Sequence, residues 1–232
     1  MGPLKDIKIF DLTRVLAGPH CTQILGDLGA DIIKIERVET GDDTRKFAPP
    51  YMKDTDGKDT NQSAYFSGTN RNKRSLTLDL SSEEGQSIAR ELISKSDILV
   101  ENFKVGTLKK YNLDYESLKD QFPDLIYCSI TGFGQTGPYA SRPAYDALVQ
   151  AMGGVMSLTG EPDGEPMKVG VSIADLMAGM YATVSILAAL RHRDKTNQGQ
   201  HLDISMLDAH VAWLANQGMN YLATGRNPDR LG

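Results

Sequence analysis

Apolar residues recur in two rhythms along this chain, and together they outline alternating strands and helices. Residues 7–12 read as a strand, and 19–28 as a helix with Pro19 near its first turn and Gly29 at its end. Ile32-Ile33-Lys34-Ile35 sits within a second strand over 31–36, completing a strand–helix–strand unit of the kind that builds parallel sheets. Residues 40–69 are rich in Asp, Pro, Gly and Lys without a clear period and read as an excursion over the surface. Leu76, Leu78 and Leu80 alternate in a strand over 75–80. Ser81 and Glu84 then have capping-box spacing for a helix reaching Ser94. Further strands are expected at 97–100, 125–131 and 200–204, with helices at 115–121, 145–152, 175–191 and 206–222. The pattern predicts an α/β fold with a mainly parallel sheet.

Bulk properties narrow the class. The chain has 232 residues, of which 40% are hydrophobic and 24% charged, with a net charge of −5. That profile suits a globular protein and offers no basic footprint for nucleic acid. Cys21 and Cys128 lie far apart without metal-ligand spacing, which favours a reducing compartment. The apolar stretch 176–190 is short and rich in Gly, Ala, Thr and Ser, so no membrane span is expected. No signal peptide is read before Lys5. A cytoplasmic protein is the expectation, with the mitochondrial matrix as the alternative if a presequence is missing.

Between Lys168 and Arg191 the only charged side chain is Asp175. A carboxylate in such surroundings must be paired, hydrogen-bonded or held for chemistry. It could equally be the N-cap of the helix it precedes, and the two roles are compatible. Gly132-Phe-Gly-Gln-Thr-Gly137 has dinucleotide-loop spacing, but Pro138 and Pro143 prolong the loop where a pyrophosphate would need a helix N-terminus. A nicotinamide-dependent oxidoreductase rests on that spacing alone. Asn70-Arg-Asn-Lys-Arg74 is a compact cationic cluster, either a solvated strand edge or a phosphate site, and Arg37 ends a strand where α/β proteins place ligand contacts. The four histidines show no metal spacing and read as structural, while Trp213, Met206 and Met219 read as core.

Asp11-Leu-Thr-Arg-Val-Leu-Ala-Gly-Pro19, the run 25–37, Asn70–Arg74, Val100-Glu-Asn-Phe103, the run 130–138 and Ala174-Asp-Leu-Met-Ala-Gly-Met-Tyr-Ala182 together resemble the class III CoA-transferases of the CaiB/BaiF type. The resemblance covers essentially the whole chain. It implies a Rossmann-like large domain over 1–200, with 201–232 leading toward a small domain largely absent here. It implies covalent catalysis in which Asp175 attacks an acyl-CoA thioester, forms a mixed anhydride and then an aspartyl-CoA thioester, and passes CoA to an acceptor acid. CoA is then a substrate, with no permanently bound cofactor and no metal. Arg37, Lys73, Arg74, Asn102 and Lys110 match the CoA-contacting positions. The related racemases place a histidine where this chain has Tyr145, which lacks a base suited to neutral pH. Leu16 replaces the glutamine of formyl-CoA transferases, and with Arg14 and Arg45 this points to succinyl-CoA and a dicarboxylate acceptor. The resemblance also implies a homodimer, interlocked when full-length. A non-catalytic CoA-binding fragment is the alternative.

Overall fold

The computed structural model describes residues 2–230. Its first strand, β1 (Lys8–Asp11), is followed by α1 (Ala17–Asp27) and β2 (Asp31–Glu36). After an antiparallel hairpin, β3 (Tyr51–Lys53) and β4 (Asp59–Ser63), come α2 (Ala64–Thr69), β5 (Lys73–Thr77), α3 (Glu83–Ile93) and β6 (Ile98–Glu101). The chain continues with α4 (Tyr115–Leu118), β7 (Ile126–Thr131), α5 (Asp146–Met152), α6 (Val155–Leu158), the long α7 (Ile173–Thr196), β8 (His201–Ser205), α8 (Met206–Ala212) and α9 (Ala215–Thr224). Six strands form one sheet in the order β5-β2-β1-β6-β7-β8, and every pairing in it is parallel.

Alternation along the central strands sends side chains to two separate cores. Ile9, Ile32, Ile98, Val100, Ile126 and Cys128 meet α1 and α7 on one face, while Phe10, Leu12, Leu99 and Tyr127 meet α3 and the segment 108–118 on the other. The chain builds outward from β1 in both directions, so the crevice between β1 and β6 is the switch point where open α/β sheets bind ligands.

Several expectations are corrected in detail. The supposed surface excursion 40–69 contains a 3-10 turn at Asp43–Lys46, the β3–β4 hairpin and α2. These elements are short and polar, so no apolar period announces them. The cap of α3 is Ser82, whose hydroxyl accepts from the Gly85 amide; Ser81 instead donates to Asp79. The helix expected over 206–222 is broken after Ala212, and α9 opens on Ala215 at φ 45°. Met206 is buried as expected, but Trp213 and Met219 are exposed.

Helix α7 spans 24 residues, and by length and composition alone it is apolar enough to cross a membrane, its most apolar 18 residues having a mean hydropathy of 1.7. That corrects the reading of 176–190 as too short. Here its small face, Ala174, Ala178, Ala182 and Ala189, packs into the first core. Gly179 lets α7 approach α1 closely, since a Cβ there would lie 2.7 Å from the Ala17 carbonyl oxygen. Gly179→Ala is therefore expected to destabilise the fold by about 1–3 kcal/mol. Urea unfolding should show a lower midpoint with an unchanged slope.

Candidate active site

The loop 12–16 leaves β1 at the switch point and is held from several sides. Asp11 accepts from the Thr13 amide at 2.8 Å and from the Thr13 and Thr22 hydroxyls. Lys34, fully buried, donates to the Thr13 carbonyl at 2.7 Å and pairs with the equally buried Asp42 at 2.9 Å. Asn102, just past β6, clamps Arg14 with both ends of its amide: Oδ1 accepts from the Arg14 amide at 2.9 Å and Nδ2 donates to its carbonyl at 2.7 Å. These contacts hold Val15 at φ 69°, a conformation that β-branched residues avoid.

This strained turn aims the start of α1 at Asp175. Asp175 lies in the first turn of α7, and the Ala17 amide donates to its carboxylate. Burial, reinforced by the nearby charge of Asp146 and tempered by the Ala17 amide, pushes the Asp175 carboxyl up to about 7. The N-cap of α7 is Ser172, so Asp175 is not the cap, which corrects that expectation. Its carboxylate is left to face a cavity of about 250 Å³ lined by Arg14, Leu16, Asn102, Gly132, Arg142 and Tyr145, among others.

A second cavity, of about 450 Å³, opens beside it at the carboxyl ends of β1, β2 and β5. Its walls include Leu12, Arg37, Val38, Leu78, Leu80 and Phe103. Arg14 and Phe103 line both cavities, with the Arg14 guanidinium 5.3 Å above the Phe103 ring. Arg14 and Arg37 share one carboxylate, Asp43, leaving the seam between the cavities net positive.

The structure brings Arg14, Leu16, Asn102, Tyr145 and Asp175 together around the smaller cavity and sets Arg37 in the larger one. The remaining expected residues lie elsewhere. Lys73 is buried and directs its ammonium to Asp11 (3.2 Å), the Pro19 carbonyl and Asn70, so no donor is left for a phosphate. Burial lowers it to about 8, against the opposing pull of Asp11. Arg74 forks onto Asp31, at the opening residue of β2, whereas Arg37 follows its last residue. Six residues of strand separate those ends by about 20 Å, so Arg37, Lys73 and Arg74 form no single cluster. Arg45 makes a two-pronged contact with Glu36 (2.7 and 2.6 Å) over the Phe66 ring and lines neither cavity. Lys110 is exposed in a 3-10 turn outside both walls.

Three contributors were not singled out from the sequence, although Asp146 is the only acid between Asp124 and Glu161. Asp146 accepts from the Ala174 and Asp175 amides (2.9 and 3.4 Å). Tyr65 of α2 lies within electrostatic reach of Asp175. Arg142 lines the smaller cavity with its guanidinium 4.1 Å from the Tyr139 ring centroid, and no acidic partner meets it among the described residues. The glycine-rich loop carries that pair and opens no helix until Asp146.

The model of CoA-transferase family III matches residues 4–232. The chain belongs to that family. It is 54% identical over 230 residues to a succinate–glutarate CoA-transferase of Agrobacterium fabrum, covering 99% of this chain and 57% of that one. It is 46% identical over 232 residues to an acetyl-CoA:oxalate CoA-transferase of Acetobacter aceti, covering all of this chain and 58% of the relative. Among solved structures, a CaiB/BaiF family protein from Brucella suis superimposes with a TM-score of 0.94 at 52% identity, over 100% of this chain and 60% of that chain. The chain thus spans less than two thirds of the length of the relatives it matches, and the family's fold is the one described above.

Proposed function

We propose that the protein containing this chain moves CoA from an acyl-CoA, succinyl-CoA foremost, to a dicarboxylic acid through a covalent intermediate on Asp175. The observation that carries this reading is the Asp175 carboxylate, poorly solvated in the wall of a cavity and met by the first amide of α1. A poorly solvated carboxylate is a stronger nucleophile, and a dry pocket protects an anhydride from water. The Ala17 amide is placed to stabilise oxyanion character when Cγ of the acylated Asp175 is attacked. The larger cavity suits the nucleotide end of CoA, with Arg37 at its wall and Arg14 at the seam for the phosphates. The relatives named for glutarate and oxalate support a dicarboxylate acceptor. A homodimer is part of the same proposal, as in the family it resembles.

Mixing the full-length protein with succinyl-CoA and glutarate should yield glutaryl-CoA and succinate, read by mass spectrometry. Hydrolysis without transfer would reject the proposal.

The far carboxylate of the acceptor needs a cation in a partly dry pocket. Arg45 is committed to Glu36, so Arg142 is the better placed partner. Arg142→Ala is expected to raise KM for glutarate about tenfold, the loss of one charged hydrogen-bonded contact, while sparing butyrate. Arg45→Ala should lower stability instead. Equal losses for glutarate and butyrate would remove Arg142 from acceptor recognition.

A further inference from the structure

Asp146 has an arrangement that an ordinary helix cap does not require. Its Oδ1 accepts from the Ala174 and Asp175 amides, which satisfies free donors in the first turn of α7. Its Oδ2 accepts from Gln150 at 2.6 Å, and Gln150 in turn accepts from the Val169 amide at 2.8 Å. One turn of α5 therefore brackets the whole segment entering α7. Yet the group chosen to do so is an acid placed beside a second carboxylate. An asparagine, a serine or a threonine would satisfy the same amides without that repulsion.

We propose that Asp146 is a positioning residue for Asp175: it seats the first turn of α7, and its charge opposes the free Asp175 carboxylate so that acylation relieves the repulsion. This rests on the CoA-transferase reading above. In the first step the Asp175 carboxylate adds to the thioester carbonyl carbon and the C–S bond breaks. The electron pair leaves on sulfur as CoA thiolate. Asp175 becomes a neutral mixed anhydride, and the negative charge has moved away from Asp146. When the thiolate attacks Cγ of Asp175 and expels the donor acid as its carboxylate, Asp175 is again neutral, now as a thioester. Both covalent intermediates escape a repulsion that the free enzyme suffers. The enzyme thereby favours loading by raising its own resting state, which is differential stabilisation placed in the protein instead of the substrate.

The other groups around the pair do not cancel this effect. The Ala17 amide of α1 donates to Asp175 and favours its anion. Tyr65 of α2 is pushed up by burial and then by Asp175, Asp146 and Asp42, so it stays neutral. His210 of α8 lies within electrostatic reach of Asp146. Burial pushes it down, and both its ring nitrogens lack partners, so it brings no fixed cation. Arg14 is drawn to Asp43, and Arg142 is stacked on Tyr139 at the cavity wall.

The test uses the full-length protein with Asp146→Asn, Asp146→Glu and Asp146→Ala. Two readouts follow the same titration: the pH profile of kcat/KM, and the pH dependence of carbodiimide labelling at Asp175, mapped by peptide mass spectrometry. Asparagine keeps the acceptor oxygen and removes the charge. It should move the acid limb and the labelling midpoint down by about one pH unit, equivalent to a tenfold change in the Asp175 protonation equilibrium, and reduce the fraction of enzyme trapped as the acyl intermediate. Glutamate keeps the charge and should restore the midpoint even where capping is loosened. Alanine should show the same shift as asparagine with an added loss of thermal stability. An Asp146→Asn enzyme with the wild-type midpoint and trapped fraction would reduce Asp146 to a plain cap and overturn the proposal. A labelling shift in a protein that transfers no CoA would instead overturn the transferase reading while upholding the coupling of the two carboxylates.

Discussion

Asp175→Asn is expected to lower CoA transfer by at least ~1000-fold, because the other carboxylate on that cavity wall, Asp43, is held by Arg14 and Arg37. The same change should stabilise the fold. The Asp175 carboxyl lies near 3.8 when unfolded and is pushed to about 7 in the structure. A raised carboxyl means that the folded chain holds its proton more tightly, so stability is lost as pH rises between those values. The penalty is absent below pH 4 and complete above pH 7. Asparagine never incurs it. After discounting for partial solvent access, the variant should gain on the order of 1–2 kcal/mol at pH 8 and nothing at pH 3.5. Urea unfolding at several pH values checks the stability, and a coupled assay checks turnover. A variant that is inactive but no more stable at pH 8 than at pH 3.5 would mean that Asp175 is not a poorly solvated carboxylate.

The largest stability effect is expected at Lys34. Its ammonium is wholly enclosed, contacting Asp42 and the Thr13 carbonyl. Lys34→Met would leave the buried Asp42 carboxylate without its counter-charge and strand that carbonyl, at a cost of about 3–5 kcal/mol. Adding Asp42→Asn should recover much of this, because the amide oxygen can still accept from Thr44 and the Val15 amide while the stranded charge disappears. Activity should not return with stability, since the loop 12–16 would still lack its anchor at Thr13. Chemical denaturation of both single variants and the double variant gives the coupling. Additive losses would show that the two groups do not act as a pair.

The sheet was legible because its strands carry long β-branched and leucine runs flanked by Gly and Asp, and each expected strand of the sheet falls within a few residues of the observed one. Elements with no apolar period of their own, such as the β3–β4 hairpin and α2, were not. The break at Ala215 was hidden for the opposite reason, since apolar residues continue through it without a Gly or Pro. At the site, Asp175 stood out because it is a solitary charge. Its partner Asp146 did not, although no other acid lies between Asp124 and Glu161, because an acidic residue in the first turn of a helix is ordinary. The cationic run 70–74 misled because sequence proximity says nothing of which strand end a side chain reaches. Lys73 turns inward to Asp11, while Arg71 and Arg74 turn to Asp27 and Asp31.

The buried pairs under the active loop, Asp11 with Lys73 and Lys34 with Asp42, and the buried Glu36 held by the part-exposed Arg45, also bear on how this protein can change. No member can be replaced alone without stranding a charge, so the floor of the site is closed to single-step drift. The rim is under no such restraint: Tyr145 is 76% exposed, and the Arg142 guanidinium rests on the Tyr139 ring with no acidic partner among the described residues. Single substitutions can therefore sample new acceptors at the rim while the chemistry beneath stays fixed. Diversification of acceptor preference in this fold should run through residues 139–145 well before it reaches residues 11–16.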